Sequence, residues 1–202
     1  MAKPSWLNLN PSTGSGNGTI TNSASAHTGR TARTGTVTIT GVGVSTPATY
    51  KVTQTPKSEF ASFDNGAEMS APKAAGTVTV EGKTNSQKLT FAWADSVSDV
   101  TIPAKYSANG TQTDNAASIT GDPGATAEFP FSIELEFPAN ETIEEVVRTL
   151  KVTANGGQAV QIAIKQAAGD AKLSVSPTEI TIPQNGSAVS VTVTSNTSWT
   201  AA

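Results

Sequence analysis

The stretch 148-RTLKVTANGGQAVQIAIKQ-166 alternates apolar and polar residues on either side of an Asn-Gly-Gly turn. Leu150 and Val152 share one face of the first run, and Val160, Ile162 and Ile164 share one face of the second. A period of two belongs to a half-buried strand, and Asn155-Gly156 supplies the positive backbone angles of a tight hairpin. The stretch therefore reads as a β-hairpin.

The same alternation recurs along the chain. It places Val37 with Ile39, Val78 with Val80, Leu89 with Phe91 and Trp93, and Ile133 with Leu135 and Phe137. The tail adds Leu173 and Val175, Ile180 and Ile182, then Val189, Val191 and Val193. Threonines fill many opposite faces, as β-branched residues content in water do. Turn signals separate the runs at 14-GSGNG-18, 64-DNG-66, 121-GDPG-124 and 185-NG-186, the last a second hairpin candidate. Helix signals are nearly absent: 141-ETIEEVV-147 reads either as one helical turn or as an acidic edge or loop. Residues 107–128 are lean in large apolar side chains and read as a long excursion. The chain is expected to be all-β.

Composition narrows the chemistry. The 202 residues carry a net charge of -3, 14% charged residues, 36% hydrophobic residues and no cysteine. Each domain would have a modest core, without disulfides or thiolate metal sites. Nucleic acid is not an expected partner, because Arg30 with Arg33 is the nearest thing to a basic cluster. No membrane partner is expected either, since no apolar run approaches a span and residues 1–10 lack a signal-peptide core.

Two internal repeats organise the chain. The segment 33-RTGTVTITG-41 continuing to 50-YKVTQTP-56 parallels 148-RTLKVTANGG-157 continuing to 159-AVQIAIKQAAG-169, each ending near a glutamine, Gln54 or Gln166. The segment 76-GTVTVEGKTNSQKLTFAW-93 parallels 179-EITIPQNGSAVSVTVTSNTSW-199, with Trp93 and Trp199 closing each. Residues 57–168 thus hold both halves of a unit, 1–56 hold only a second half, and 169–202 only a first half. A half-sandwich exposes an apolar face and a strand edge that must be covered. Two closures are open: the ends meet within one chain, or the tail completes a neighbour's N-terminal half. Closure within the chain is preferred because it needs no partner. The contacts expected to complete the module are Trp6, Leu7, Leu9, Leu173, Val175, Val191 and Trp199.

The stretches 6-WLNLNPSTGSGNGTI-20 and 173-LSVSPTEITIPQNGSAVSVTVTSNTSWT-200 resemble the BACON family. Trp199 matches its SNTSWT-like landmark; Trp6, Pro11, Gly14 and Gly16 match its W-L-x-x-x-P-x-x-G-x-G element; Val52-Thr53-Gln54 match its end. The middle region departs from the pattern, with the 107–128 insertion and no W-L-x-x-x-P element. The resemblance implies immunoglobulin-like antiparallel β-sandwiches, here one complete domain (57–168) inserted between two complementary half-modules.

Two functions follow from the resemblance. BACON-like modules occur in structural proteins of crAss-like Bacteroides phages, which implies a non-enzymatic virion protein, a capsid decoration or head-associated auxiliary protein. The alternative is a carbohydrate-binding module of a Bacteroidetes surface or secreted protein. The implied partners are capsid or other virion proteins, further copies of the chain, and surface glycans. The implied location is the virion, assembled in the host cytoplasm, or the cell surface if the chain is a trimmed fragment.

Catalysis is not expected, nor any cofactor. The single histidine, His27, sits in a polar turn segment, and nothing resembles a nucleophile beside a base. Asp114 and Asp122 lack calcium-loop spacing. A glycan site needs an exposed aromatic. Trp93 continues the phase of Leu89 and Phe91 and reads as core or rim, which leaves Tyr106, beside the long loop, as the freer ring. The Asn-x-Ser/Thr triplets at Asn17, Asn109, Asn140, Asn185 and Asn196 read as accidents of composition.

Overall fold

A computed structural model describes residues 3–97 and 99–202. In chain order its strands are β1 (Leu7–Asn10), β2 (Thr21–Ala24), β3 (Arg33–Ile39), β4 (Ala48–Gln54), β5 (Ala61–Phe63), β6 (Glu68–Ala71), β7 (Gly76–Thr84) and β8 (Leu89–Trp93). They continue with β9 (Lys105–Ala108), β10 (Thr111–Asp114), β11 (Phe129–Phe137), β12 (Val146–Ala154), β13 (Ala159–Gln166), β14 (Leu173–Ser176) and β15 (Thr192–Ser195). The chain is all-β, with several antiparallel sheets consistent with an immunoglobulin-like sandwich.

Strands β5 to β13 form two sheets, in the orders β10-β9-β11-β7-β5 and β6-β13-β12-β8. Every pairing is antiparallel except β6 beside β13. Strands β7 and β11 bury alternate residues, and their register sets Val78 opposite Leu135 and Val80 opposite Ile133. Those side chains meet Leu89, Phe91, Leu150, Val152, Ile162 and Ile164 in one core. Phe131 lies opposite Gly82, and a Cβ on Gly82 would run into its ring and the Ser62 carbonyl. The bare glycine lets Phe131 pack edge-on against Phe63 and Phe91, at centroid distances of 6.0 and 5.7 Å.

The expected 148–166 hairpin is present. Strands β12 and β13 pair from Val146↔Gln166 to Thr153↔Ala159, with Gly156 and Gly157 at φ 90° and 91°. The 141–147 segment splits into a turn and the start of β12, and contains no helical turn.

The 107–128 excursion is corrected. Residues 105–114 form the β9–β10 hairpin across Asn109-Gly110, both at positive φ. Residues 115–119 then run along β8, the edge strand of the four-stranded sheet. There the Asn115 side chain accepts the Phe91 N–H at 2.8 Å and donates to the Phe91 carbonyl at 3.0 Å. The Ala116 and Ile119 amides bond the Leu89 and Gln87 carbonyls. Few apolar side chains are needed because the segment's work is to satisfy an open backbone edge.

The ends form separate two-stranded sheets: β1 with β2, β3 with β4, and β14 with β15. Asn185-Gly186 makes a turn, with Gly186 at φ 74° and its N–H on the Pro183 carbonyl, yet no hairpin flanks it. Isolated strand segments are marginal in water, and residues 177–191 have no neighbouring strand to hold them extended.

Candidate functional site

The outer face of the five-stranded sheet is polar. A shallow depression of about 310 Å³ opens there beside Asp64, Glu81, Ser107 and Ser132. A second, of about 200 Å³, shares Ser107 and Ser132 and adds Lys105, Gln112, Glu134 and Glu136. The alternation that drives Val80, Ile133 and Leu135 into the core presents Glu81, Ser132, Glu134 and Glu136 outward.

Of the aromatic candidates, Tyr106 borders the second depression, while Trp6, Trp93 and Trp199 line neither. Tyr106 is only 2% exposed, with its ring 4.9 Å from Phe91, so its expected freedom for a ligand is corrected. Its β9 position points it into the sandwich, and burial pushes its hydroxyl up to about 12. Trp93 is a half-buried rim residue packed on the core, and its indole N–H donates to the Val100 carbonyl at 2.7 Å. Trp6 is half-buried beneath the Arg33 guanidinium, 4.7 Å from its ring centre. Trp199 is 54% exposed. Among the other completion residues, Leu7 is buried in the N-terminal unit and Leu9 half-buried, whereas Leu173, Val175 and Val191 are exposed.

The strongest polar constellations sit at the corners of the modules, and the sequence reading missed them. Asn85, fully buried, accepts the Phe60 N–H at 2.8 Å and donates to the Ser58 and Ala125 carbonyls. Thr84 donates to the Phe60 carbonyl and accepts the Ser86 N–H. Ser195, Asn196 and Thr197 repeat this set. Asn196 accepts the Lys172 N–H at 2.8 Å and donates to the Asp170 and Glu141 carbonyls, while Ser195 donates to the Lys172 carbonyl and accepts the Thr197 N–H.

The shared bonds set residues 68–86 on residues 179–197 without a gap. Pro72 falls on Pro183, Val78 on Val189, Val80 on Val191 and Asn85 on Asn196. The phase of the sequence repeat is thereby corrected: Trp199 stands where Lys88 stands, and not where Trp93 does.

Residues 25–54 repeat residues 138–166 through shared bonds too, here with small insertions between the matched positions. Arg33 donates to Gln54 and stacks on Trp6; Arg148 donates to Gln166 and stacks on Phe137. Gln54 donates to the Ser25 carbonyl and Gln166 to the Pro138 carbonyl. His27 accepts the Gly29 N–H and meets the Thr31 carbonyl, as Asn140 accepts the Thr142 N–H and donates to the Glu144 carbonyl. The lone histidine is therefore a turn organiser. The Asn-x-Ser/Thr triplets at Asn140 and Asn185 have a reason too: each asparagine accepts both the N–H and the hydroxyl two residues on.

Arg30 fastens the N-terminal unit to the middle one. It bonds Asp122 and the Asn85 carbonyl, with Glu59 3.8 Å from its Nε. Its hydrogen bonds hold the Asp122 carboxyl below the usual carboxylate range, against the opposing effect of burial. Burial pushes Glu59 up, but bonds from Asn155, the Gln87 amide and Ser86, with the Arg30 charge, outweigh it and leave it lowered. Asp122 is thus an ion-pair partner, and Asp114 is exposed beside Lys105 at 3.6 Å. Among the described residues no group of three or more His, Asp or Glu side chains stands in metal-binding arrangement.

Comparisons with known proteins add a local identity. Among solved structures, the chain is similar to an endo-fucoidan hydrolase, MfFcnA9 from glycoside hydrolase family 107, at 13% identity and a TM-score of 0.30, covering 82% of this chain and 26% of that one. The related hydrolase MfFcnA4 gives 12% identity and a TM-score of 0.30, with 84% and 23% covered. The chain spans about a quarter of each enzyme. Likeness at that level carries no inference about activity. No curated protein matches the chain. Residues 1–55 match the family described as "BACON: Putative binding domain, N-terminal", and a BACON domain is present there.

Proposed function

We propose that the chain is a non-catalytic binding protein whose ligand is a surface glycan, held on the outer face of the five-stranded sheet. The observation that carries this reading is the paired depression around Ser107 and Ser132, where carboxylates, hydroxyls and an amide converge on a surface a polyol can lie along. The BACON match over residues 1–55, a family described as a binding domain, agrees with it. Asp64, Glu81, Glu134 and Glu136 make the face acidic, so it favours neutral over sulfated sugars. With no exposed aromatic lining the depressions, polar contacts carry the binding, and affinity is modest.

Titration of the isotope-labelled chain with neutral and sulfated oligosaccharides tests this. Amide shifts at Glu81, Ser107 and Ser132 with the neutral sugars, lost in Glu81→Ala, are expected. Silence of that face toward every sugar contradicts it.

A second reading, a structural component of a virion such as a capsid decoration or auxiliary protein, is favoured by the exposed apolar side chains of the tail, Leu173 and Ile182 among them. Its test is recovery of the chain at fixed stoichiometry in purified phage particles.

A further inference from the structure

The middle module shows what a first half lacks when it stands alone. In residues 57–168, Val78 and Val80 are 6% and 1% exposed, because the four-stranded sheet packs across them and β11 beside β7 sets Leu135 and Ile133 opposite them. Their equivalents Val189 and Val191 are 40% and 39% exposed. Ala71 is covered where β6 runs beside β13; its equivalent Ile182 is 62% exposed. The tail has the residues of a covered half and no cover.

The cover it fits is the N-terminal unit. Through the Arg33–Gln54 and His27 bonds, residues 25–54 take the places of residues 138–166, the second-half strands that close the middle module. That unit is open on its own side: Ile39 is 44% exposed, whereas Ala154, its counterpart in the repeat, is buried. Charge agrees. Residues 1–56 contain Lys3, Arg30, Arg33 and Lys51 with no Asp or Glu, while residues 169–202 contain Asp170 and Glu179 with Lys172.

The two open halves are attached to opposite ends of the middle module. Gly76 pairs with Phe137 and Thr84 with Phe129, so the Asn85 corner and the 138–144 turn are separated by the length of β7. Nine strand residues span roughly 30 Å. The N-terminal unit joins at the first end, through Arg30 on Asp122 and the Lys57 N–H on the Gly29 carbonyl. The tail joins at the second, through Lys172 and Asn196 on Glu141 and the Gly169 N–H on the Thr142 carbonyl. Both joints share one design, a turn of one unit seated against the Asn corner of the next. A polar string of this kind continues in one direction.

We infer that residues 169–202 of one copy and residues 1–56 of a second copy close into a single sandwich, so that the protein assembles head to tail. The contact is heterologous and leaves a fresh open half at each end, which gives chains rather than a closed dimer. The occupant of the tail is thus a second copy of this chain, whatever ligand the outer sheet face takes.

The absence of native cysteine allows a direct test. Ser25 stands where Pro138 does, so Ile20 falls where Ile133 does, opposite Val191. Facing residues of an antiparallel pair are close enough for a disulfide. Full-length Ile20→Cys and Val191→Cys chains, each checked for an unchanged unfolding midpoint, are mixed and oxidised. A reducible covalent dimer is expected, with a light-scattering mass of the unaltered chain that rises with concentration. Two results overturn the proposal. One is an intrachain-linked monomer from the double variant with no mixed dimer. The other is a single-chain mass at every concentration with no cross-link, which leaves the tail to a different second-half segment.

Discussion

Asn85 and Asn196 bind their surroundings identically: each accepts one backbone N–H at 2.8 Å, from Phe60 or Lys172, and each donates to two carbonyls. One is fully buried in a closed module and the other stands on an open one. The corner is therefore present whether or not the module around it is closed.

Asn85→Ala leaves unpaired the Phe60 N–H, the buried Ala125 carbonyl and the Ser58 carbonyl. The loss should be about 3 kcal/mol of middle-module stability, read from the urea midpoint. Asn196→Ala should move that midpoint by less than about 0.5 kcal/mol, because its partners Lys172, Asp170 and Glu141 are exposed and water can replace the lost bonds. Equal effects of the two would contradict the distinction between closed and open halves.

Gly82→Ala forces a methyl against Phe131 and the Ser62 carbonyl. A penalty of about 1–3 kcal/mol is expected, and adding Phe131→Leu should recover part of it. The double-mutant cycle measures the coupling; simple additivity would place the strain elsewhere.

Asn115→Ala strips the cover from β8. Exchange of the Phe91 amide should speed up, with a stability loss of about 1–2 kcal/mol for the two bonds. Unchanged protection at Phe91 would mean that residues 116–119 cover the edge unaided.

Acid should loosen the corners. Hydrogen bonds from Arg148 and Arg30 hold Asp99 and Asp122 below the usual carboxylate range, so the folded form binds protons less readily than the unfolded form. Their contribution is therefore complete above the unfolded value and is lost as pH falls through the folded one. The urea midpoint should be flat from neutrality to about pH 5 and fall below about pH 4. Asp99→Asn and Asp122→Asn should flatten that fall; an unaltered acid limb in both would assign it to other carboxylates.

Strand positions were legible because alternation is local: Leu150, Val152, Ile162 and Ile164 announce a buried face from their spacing alone. The corners were not, because Asn85 and Arg148 owe their roles to partners distant in the chain, and a polar residue in a run carries no mark of burial. Tyr106 misled for a related reason. Its neighbours 107–128 look like a loop, and the turn of that segment onto β8 is a tertiary event. The repeat was visible, but aligning tryptophan on tryptophan gave the wrong phase. The Thr-Asn-Ser and Ser-Asn-Thr corners, which lack any apolar signal, set the right one.

Hydrogen exchange resolved by residue, on a fraction that light scattering shows to be single chains, tests the central claim that the middle module is closed while both ends stay open. The account predicts strong protection at Val78, Val80, Ile133 and Ile164, and near-free exchange at Val189 and Val191. Equal protection of Val80 and Val191 in single chains would contradict it, because the tail would then have found its cover within its own chain.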